Sequence, residues 1–235
     1  MVPQFVPPLD AGFGFGDSCL TRNDWICQKY YDTRSAELQD ALVQHVQTVL
    51  ASVLLGLVIA IPLALIARRY RTLEGIIVGA TTAIYTIPSL ALFSLLVPVT
   101  GFGFETVVIG LGLYSLTILV RAILDGLRAV PAEVRESAVG MGYGAARLLW
   151  RVEVPLAIPA FMSGLRVATV SAVALTTVGS ILDYGGLGDL ILEDRTFKAQ
   201  VLAGSVLCVA LAITLDVLLV LAQRVLTPWT RKARA

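Results

Sequence analysis

The chain has 235 residues, of which 57% are hydrophobic and 15% charged, and its formal net charge is +1. A soluble domain carries about 25% charged residues, so this composition predicts an all-α integral membrane protein with about five spanning helices. The near-neutral charge gives no support for nucleic-acid binding. The single histidine and three cysteines form no metal-ligand pattern. Without a nucleophile–base set or a GK[ST] loop, we expect neither an enzyme nor a nucleotide-binding subunit.

The N-terminal stretch, residues 1–44, is polar and mildly acidic. It has no basic start followed by an apolar run, so we do not interpret it as a cleaved signal peptide. Its second half has the composition of a short interfacial helix leading into the first span. Cys19 and Cys27 could form a disulfide if this tail faces an oxidising compartment. Two unpaired thiols are an equal alternative, because a separation of eight residues alone does not decide.

Apolar segments of membrane-spanning length follow, since about 20 residues at about 1.5 Å each cross the hydrocarbon core. They form a predicted transmembrane domain at residues 45–228, before a basic tail at 229–235. Pro88 is expected to kink or break the second segment. The predicted spans are residues 46–67, 75–100, 106–127, 160–182 and 201–223.

Four charged residues fall inside the predicted spans, where charge is costly. Arg121 and Asp125 lie four residues apart and could pair locally. Asp216 is predicted to pair with Arg121 or Arg166 and so tie two spans together. A substrate or proton site is the rival interpretation of Asp216. The tie is preferred because one acid without a neighbouring carboxylate or histidine makes a poor proton relay.

A polar insert, residues 131–155, interrupts the apolar segments. Pro131 suits the first turn of a helix, and Val134, Ala138 and Met141 would form an apolar side that could enter a groove. Gly142 and Gly144 would end that helix. A second short helix from 145 to 151 would then be ended by Pro155. The insert is therefore predicted to be a rigid helix–glycine–helix elbow.

The order of residues in this elbow resembles the signature of type I ABC importer permeases. That signature is Glu-Ala-Ala, three residues, Gly, nine residues and Ile-x-Leu-Pro, and here Ser137, Val152 and Val154 are the only departures. The resemblance implies the five-span fold of that family, with the elbow as a cytoplasmic coupling helix that docks into an ATPase subunit. The implied coupling residues are Glu136, Ser137, Ala138, Gly142, Val152 and Pro155.

Two further stretches, 84–92 and 185–189, are similar to permeases for osmoprotectants such as glycine betaine, choline and carnitine. A proline-broken helix near mid-membrane often builds a gate or pathway. The plainer alternative is that the proline only kinks its helix and that the glycines form an ordinary turn. Tyr85, Phe93 and Tyr114 could offer aromatic faces to a quaternary ammonium, with core packing as the alternative. The implied gate residues are Tyr85, Pro88, Ser89, Gly185, Gly186 and Gly188.

Basic residues predict the orientation. With the N-terminal tail outside, eleven lysines and arginines fall in inner segments and five in outer ones. The positive-inside rule therefore places the elbow and the C-terminus in the cytoplasm. The inner residues are Arg68, Arg69, Arg71, Arg128, Arg135, Arg147, Arg151, Arg224, Arg231, Lys232 and Arg234.

The resemblance implies a subunit of an ATP-driven importer in a bacterial inner or plasma membrane. Its expected partners are ABC ATPase subunits, a second permease subunit (identical or paralogous), an extracytoplasmic solute-binding protein and membrane lipid. The chain itself is expected to bind no cofactor, since ATP and Mg would reside on the ATPase. A permease for methionine or another amino acid is the alternative within this class. A secondary transporter is the alternative from another class, although the spans offer few ionisable groups and no clear inverted repeat.

Overall fold

The computed structural model describes residues 19–229, and within them the chain is built of α-helices with two short irregular helical segments. The first part of the predicted tail and residues 230–235 lie outside the described residues. The α-helices are α1 (Gln28–Thr33), α2 (Ser35–Arg69), α3 (Arg71–Thr86), α4 (Ser89–Thr100), α5 (Phe104–Arg128), α6 (Ala132–Gly140), α7 (Ala145–Leu148), α8 (Val154–Thr176), α9 (Leu187–Glu193) and α10 (Lys198–Leu226).

Within residues 19–229, four helical stretches are long and apolar enough to cross a membrane, or five if α3 and α4 together count as one span. Three are α2, α5 and α10, and the fourth is the stretch from Ala145 to Leu182 that contains α7 and α8. The all-α class is confirmed. The predicted interfacial helix is divided at Arg34: residues 28–33 form α1, and α2 continues without a break from Ser35 into the first span.

Helix α5 lies at the centre of the bundle, where it contacts α2, α3, α4 and α8. Small residues of α2 allow the two helices to approach closely. Ala60 and Ala64 share a buried cluster with Leu119, and a Cβ added at Gly56 would lie 2.9 Å from Ser115 Cβ. Because lipid is as apolar as these side chains, close packing rather than hydrophobic burial favours such helix association.

Pro88 breaks the second apolar segment. Helix α3 ends at Thr86, α4 begins at Ser89, and the two axes are bent by 99°. The residue before a proline is restricted to extended backbone, and Ile87 accordingly has ψ 128°. The break frees the carbonyl of Ile87, which accepts a hydrogen bond from the hydroxyl of Tyr114. The sequence predicted either a kink or a break at Pro88, and the structure has a break.

The predicted end of the second elbow helix at Pro155 is wrong. From α7 the chain continues through a π-helical turn, Leu149–Glu153, directly into α8, and a 3₁₀ segment, Thr177–Leu182, extends α8. Pro155 lies in the first turn of α8, where its missing N–H is tolerated. The wider π-helical turn just before it also changes the hydrogen-bond register, so the proline ring need not interrupt the helix. Helical structure therefore begins well before the predicted fourth span.

The N-terminal segment packs at the end of the bundle where α9 meets α10. A disulfide joins Cys19 to Cys27, with Cα atoms 5.5 Å apart. Between them, the side chain of Asn23 donates to the carbonyl of Thr196 at 2.7 Å and accepts from the Lys198 amide at 2.9 Å. The ends of α2 and α5 lie with α6 at the opposite end of the bundle, as the contacts below describe.

Candidate functional site

Helix α6 of the elbow presents an exposed surface of mixed character. Glu136 and Ser137 are exposed, and so are the apolar side chains Val139 and Met141, at 57% and 71%. Ala138 is only 2% exposed and packs against its own chain, so it does not share a free apolar side with Met141 as the helical spacing predicted. Helix α6 packs on α7 and on the π-helical turn, and this packing directs Ala138 inward. Val139 takes its place on the exposed side.

The turn after α6 depends on Gly142. Its φ of +84° is left-handed, a region that L side chains rarely adopt. The Gly142 amide donates to the carbonyl of Val139 at 2.9 Å, and the Tyr143 amide donates to that of Ala138 at 3.1 Å. These two bonds form a Schellman motif, which ends α6 and redirects the chain. Gly144 has ordinary extended backbone, so the predicted special conformation applies to Gly142 alone.

Glu153 is the residue of this region that the sequence analysis did not single out. It lies in the π-helical turn and is 1% exposed. Its carboxylate accepts a hydrogen bond from Arg68 at the end of α2, and it lies 3.2 Å from Nε of Arg135 on α6. Its neighbours in the sequence, Val152 and Pro155, are partly buried at the same junction. One acid within an apolar Val-Glu-Val-Pro run was the signal that could have found it.

The residues expected to line a gate lie in two different environments. Tyr85 is 45% exposed beside the α3–α4 break, next to Pro88 and Ser89, and its ring stacks edge-on against Tyr114 at 5.7 Å between centroids. Tyr114 is largely buried. Phe93 is 2% exposed and presses on α5, where a Cβ at Gly110 would lie 2.5 Å from its ring. Phe93 is therefore a packing residue, and Tyr85 is the aromatic ring of the three with a substantial exposed face.

Gly185, Gly186 and Gly188 are all buried beneath neighbouring backbone. A Cβ at Gly186 would lie 2.9 Å from Cα of His45, and one at Gly188 would lie 2.5 Å from Cα of Thr177. Gly186 also has a left-handed φ of +56°. This geometry supports the plainer of the two interpretations, a tightly packed turn, for the isolated protomer.

His45 links that turn to two spans. It is completely buried, its Nδ1 accepts from the Leu187 amide at 3.3 Å, and its Nε2 lies 3.1 Å from the carbonyl of Val173. These partners assign a neutral ring with the proton on Nε2. Spacing along the sequence indicates no partner for His45, because both partners are more than a hundred residues away along the chain.

Asp189 stabilises the same glycine turn through its side chain. Both of its carboxylate oxygens lie 3.0 Å from the amide nitrogen of Gly185. Burial raises the pKa of Asp189 above its ordinary value, while hydrogen bonds from Gly185 and Gly186 oppose that rise. Asp189 therefore holds the loop closed at an electrostatic cost.

Of the two ion pairs predicted inside the spans, the structure has one and lacks the other. Arg166 and Asp216 form a bidentate ion pair. The predicted partner of Asp216 was either Arg121 or Arg166, and the structure has Arg166. The predicted pair of Arg121 with Asp125 is wrong. Arg121 donates to the hydroxyl of Thr82 at 2.9 Å instead. An i, i+4 ion pair is less favourable when the basic residue comes first, and Arg121 precedes Asp125.

A groove of about 620 Å³ lies beside Arg121, between α3 and α5. Small and hydroxylated residues of α3 form one wall, and Arg128 and Glu74, which pair at the elbow end, form its lower part. The 3.9 Å approach of Asp125 to Arg128 is on the same side. The groove is open in the single chain, so it offers space for a neighbouring helix or a solute.

An all-helical bundle with one broken span and a polar elbow between two others defines a membrane permease subunit of the type I ABC class. The chain belongs to the family of binding-protein-dependent transport system inner membrane components, whose model matches residues 52–232.

Relatives within this family cover most of the chain. It is 33% identical over 206 residues to the glycine betaine/carnitine/choline transport system permease protein OpuCD of Bacillus subtilis (strain 168), covering 86% of this chain and 90% of that protein. It is 33% identical over 202 residues to the choline transport system permease protein OpuBB of the same organism, covering 85% and 93%. It is also 35% identical over 192 residues to the osmoprotectant import permease protein OsmW of Salmonella typhimurium, covering 79% and 89%.

The fold is similar to that of a solved structure, an inward-facing conformation of the MetNI methionine ABC transporter. The TM-score is 0.70 at 19% identity, and the match covers 79% of this chain and 94% of that one. At this identity the likeness establishes the fold alone.

Proposed function

We propose that this chain is the permease subunit of an ATP-driven importer of quaternary-amine osmoprotectants such as glycine betaine, choline or carnitine. The observation that carries the proposal is sequence identity of 33% across 86% of the chain to a relative named for these three solutes. The exposed aromatic ring of Tyr85 at the helix break agrees with a cationic solute, since aromatic faces attract quaternary ammonium groups.

In the proposed assembly, two permease subunits enclose the pathway and an ATPase subunit binds each α6. The ATPase binds ATP and Mg, and this chain binds no cofactor. ATP-driven closure of the ATPases moves α6, and the packed helices carry that movement to the break at Pro88. Glu136, Ser137 and the exposed Met141 would contact the ATPase. A solute-binding protein would dock at the opposite end, near α9 and the disulfide-bonded segment, and lipid would surround the exposed apolar faces of α2 and α10.

The proposed orientation puts α6 and the C-terminus in the cytoplasm and the N-terminus outside. The arginines around α6 support it through the positive-inside rule. The disulfide at the opposite end supports it as well, because disulfides persist in oxidising compartments. Labelling of a cysteine introduced at Ala145 would contradict the orientation if that position reacted only from outside the cell.

The function is tested by uptake into proteoliposomes that contain this permease, its ATPase and its binding protein. We expect uptake of radiolabelled glycine betaine, choline or carnitine that requires ATP on the α6 side. Uptake of methionine instead would favour the alternative of an amino-acid permease. Uptake that proceeds without ATPase and follows an ion gradient would replace the proposal with a secondary transporter.

A further inference from the structure

The carboxylate of Glu153 is the point at which the elbow is joined to the spans. Glu153 is 1% exposed, although it lies in a turn that precedes α8 rather than in the middle of the bundle. A buried carboxylate is costly unless charged partners compensate for the lost water. Two arginines from different helices, Arg68 and Arg135, provide that compensation.

Arg68 connects Glu153 to the first span. It lies in the last turn of α2, where a basic side chain also interacts favourably with the helix dipole. Its Nη2 donates directly to Oε2 of Glu153, 85 residues further along the chain. A displacement of the π-helical turn therefore acts on the end of α2.

Arg135 connects Glu153 to the coupling helix. Its Nε lies 3.2 Å from Oε1 of Glu153, an ion-pair distance without the alignment of an N–H hydrogen bond. Its Nη2 donates to the carbonyl of Leu127 in the last turn of α5. One side chain of α6 thus holds both the central helix and the turn before α8.

We propose that Glu153, through Arg68 and Arg135, is the positioning residue that makes α6 move as one body with the ends of α2, α5 and α8. This inference rests on the proposed function, because it assigns to this site the transmission of movement from ATPase to pathway. The apolar contacts of α6 are few, since Ala138 is its one buried side chain among the described residues. The charged contacts are therefore the main means by which α6 can pull on the spans.

The test compares Glu153→Gln and Arg135→Gln with the unaltered transporter in proteoliposomes containing the ATPase and the binding protein. Two quantities are measured on the same preparation: solute imported and ATP hydrolysed. We expect each variant to import at least tenfold less solute per ATP while hydrolysis stays within about twofold. The loss in the double variant should be smaller than the combined losses of the two single variants, since the two residues share one contact. Glu105→Gln, an exposed acid in the first turn of α5 at the other end of the bundle, is the matched control and should keep the normal ratio.

A second readout measures how firmly α6 is held, through the exchange of its backbone amides. Hydrogen exchange of residues 132–140 in the assembled complex should be faster in Glu153→Gln than in the control, while exchange in the middle of α5 is unchanged. Unchanged solute per ATP in Arg135→Gln, which alters a partly exposed side chain, would overturn the inference. So would additive effects in the double variant. Failure of the unaltered complex to import osmoprotectants refutes only the proposed solute, because the hydrogen-exchange comparison needs none.

Discussion

Arg166 of α8 and Asp216 of α10 meet in a bidentate ion pair, with Nε–Oδ1 at 2.7 Å and Nη2–Oδ2 at 2.8 Å. Each side chain is about one-third exposed in the isolated chain, at 34% and 30%. In a bilayer, water does not compensate for the loss of either partner. The pair therefore ties two of the spans that follow the elbow.

Neutralising this pair should damage assembly. We expect Asp216→Asn to lower both the yield of the purified complex and its melting temperature, because the Arg166 guanidinium would keep its charge without a carboxylate. Arg166→Lys should have a smaller effect, since one ammonium contact can replace part of the fork. Thermal denaturation of the solubilised complex measures this, with Asp125→Asn, an exposed acid, as the control. A variant that assembles normally but prefers another solute would contradict the structural role.

Replacement of Gly142 should prevent docking of the ATPase. The left-handed φ of +84° costs an L residue about 1–2 kcal/mol, so Gly142→Val should redirect the chain after α6. We expect normal insertion in the membrane but loss of ATPase co-purification and of uptake. Gly140→Ala is a close control, because that glycine is helical and a Cβ there would meet no atom within 4 Å. If Gly142→Val retains normal uptake, Gly142 has no role in coupling.

The packed glycine turn predicts a stability effect at Gly188. A Cβ there would lie 2.5 Å from Cα of Thr177, a backbone atom that cannot simply rotate away. We expect Gly188→Ala to destabilise the protein by about 1–3 kcal/mol, as overpacking does. Gly75→Ala, where a Cβ meets nothing within 4 Å, should be tolerated. Equal melting temperatures for these two variants would show that the turn is looser than the structure indicates.

The hydroxyl of Tyr114 should stabilise the helix break. In Tyr114→Phe the partly buried carbonyl of Ile87 loses its donor, and we expect a cost toward the low end of the roughly 1–3 kcal/mol that a fully buried unsatisfied group costs. We expect a lower melting temperature with the aromatic packing retained. Tyr85→Phe is the matched control, being the other ring of the same stacked pair and more exposed. Equal stability of the two variants would contradict a structural role for the bond.

Asp189 should make stability depend on pH. Because burial raises its pKa in the folded state, the protonated form is favoured there, and the associated stability is lost as pH rises through the folded-state pKa. We therefore compare the stability of Asp189→Asn with that of the unaltered protein at each pH. The advantage of Asp189→Asn should be larger at neutral pH than at pH about 4. Melting curves of both proteins across that range measure the difference, to which the charge of Asp183 contributes because it also raises the pKa of Asp189. A constant difference across the range would contradict the shift.

Local sequence signals predicted much of this fold. Pro88 has no N–H and restricts the residue before it, so the broken second segment followed from chemistry within a few residues. Gly142 was likewise predicted as a turn residue from its place after an amphipathic run. These features depend on short-range backbone preferences that a single sequence displays.

Long-range contacts could not be predicted in the same way. His45 finds its partners at Val173 and Leu187, and Glu153 finds one at Arg68, through packing that spacing along the chain does not reveal. Ala138 turned inward because α7 and the π-helical turn occupy that side of α6, and a helical period alone cannot say which face a neighbour covers. The sequence also could not show that a π-helical turn would carry the chain past Pro155.

The bridge that Asn23 makes to Thr196 and Lys198 bears on how the protein is made. Asn23 precedes Thr196 by 173 positions and Lys198 by 175, so the ribosome makes Asn23 long before its two partners. The N-terminal segment can therefore complete these contacts only after the last span, α10, has been made and inserted beside it. A nascent chain that stalls before α10 would lack these contacts. Its N-terminal segment would then be more open to proteases than the same segment of a completed molecule.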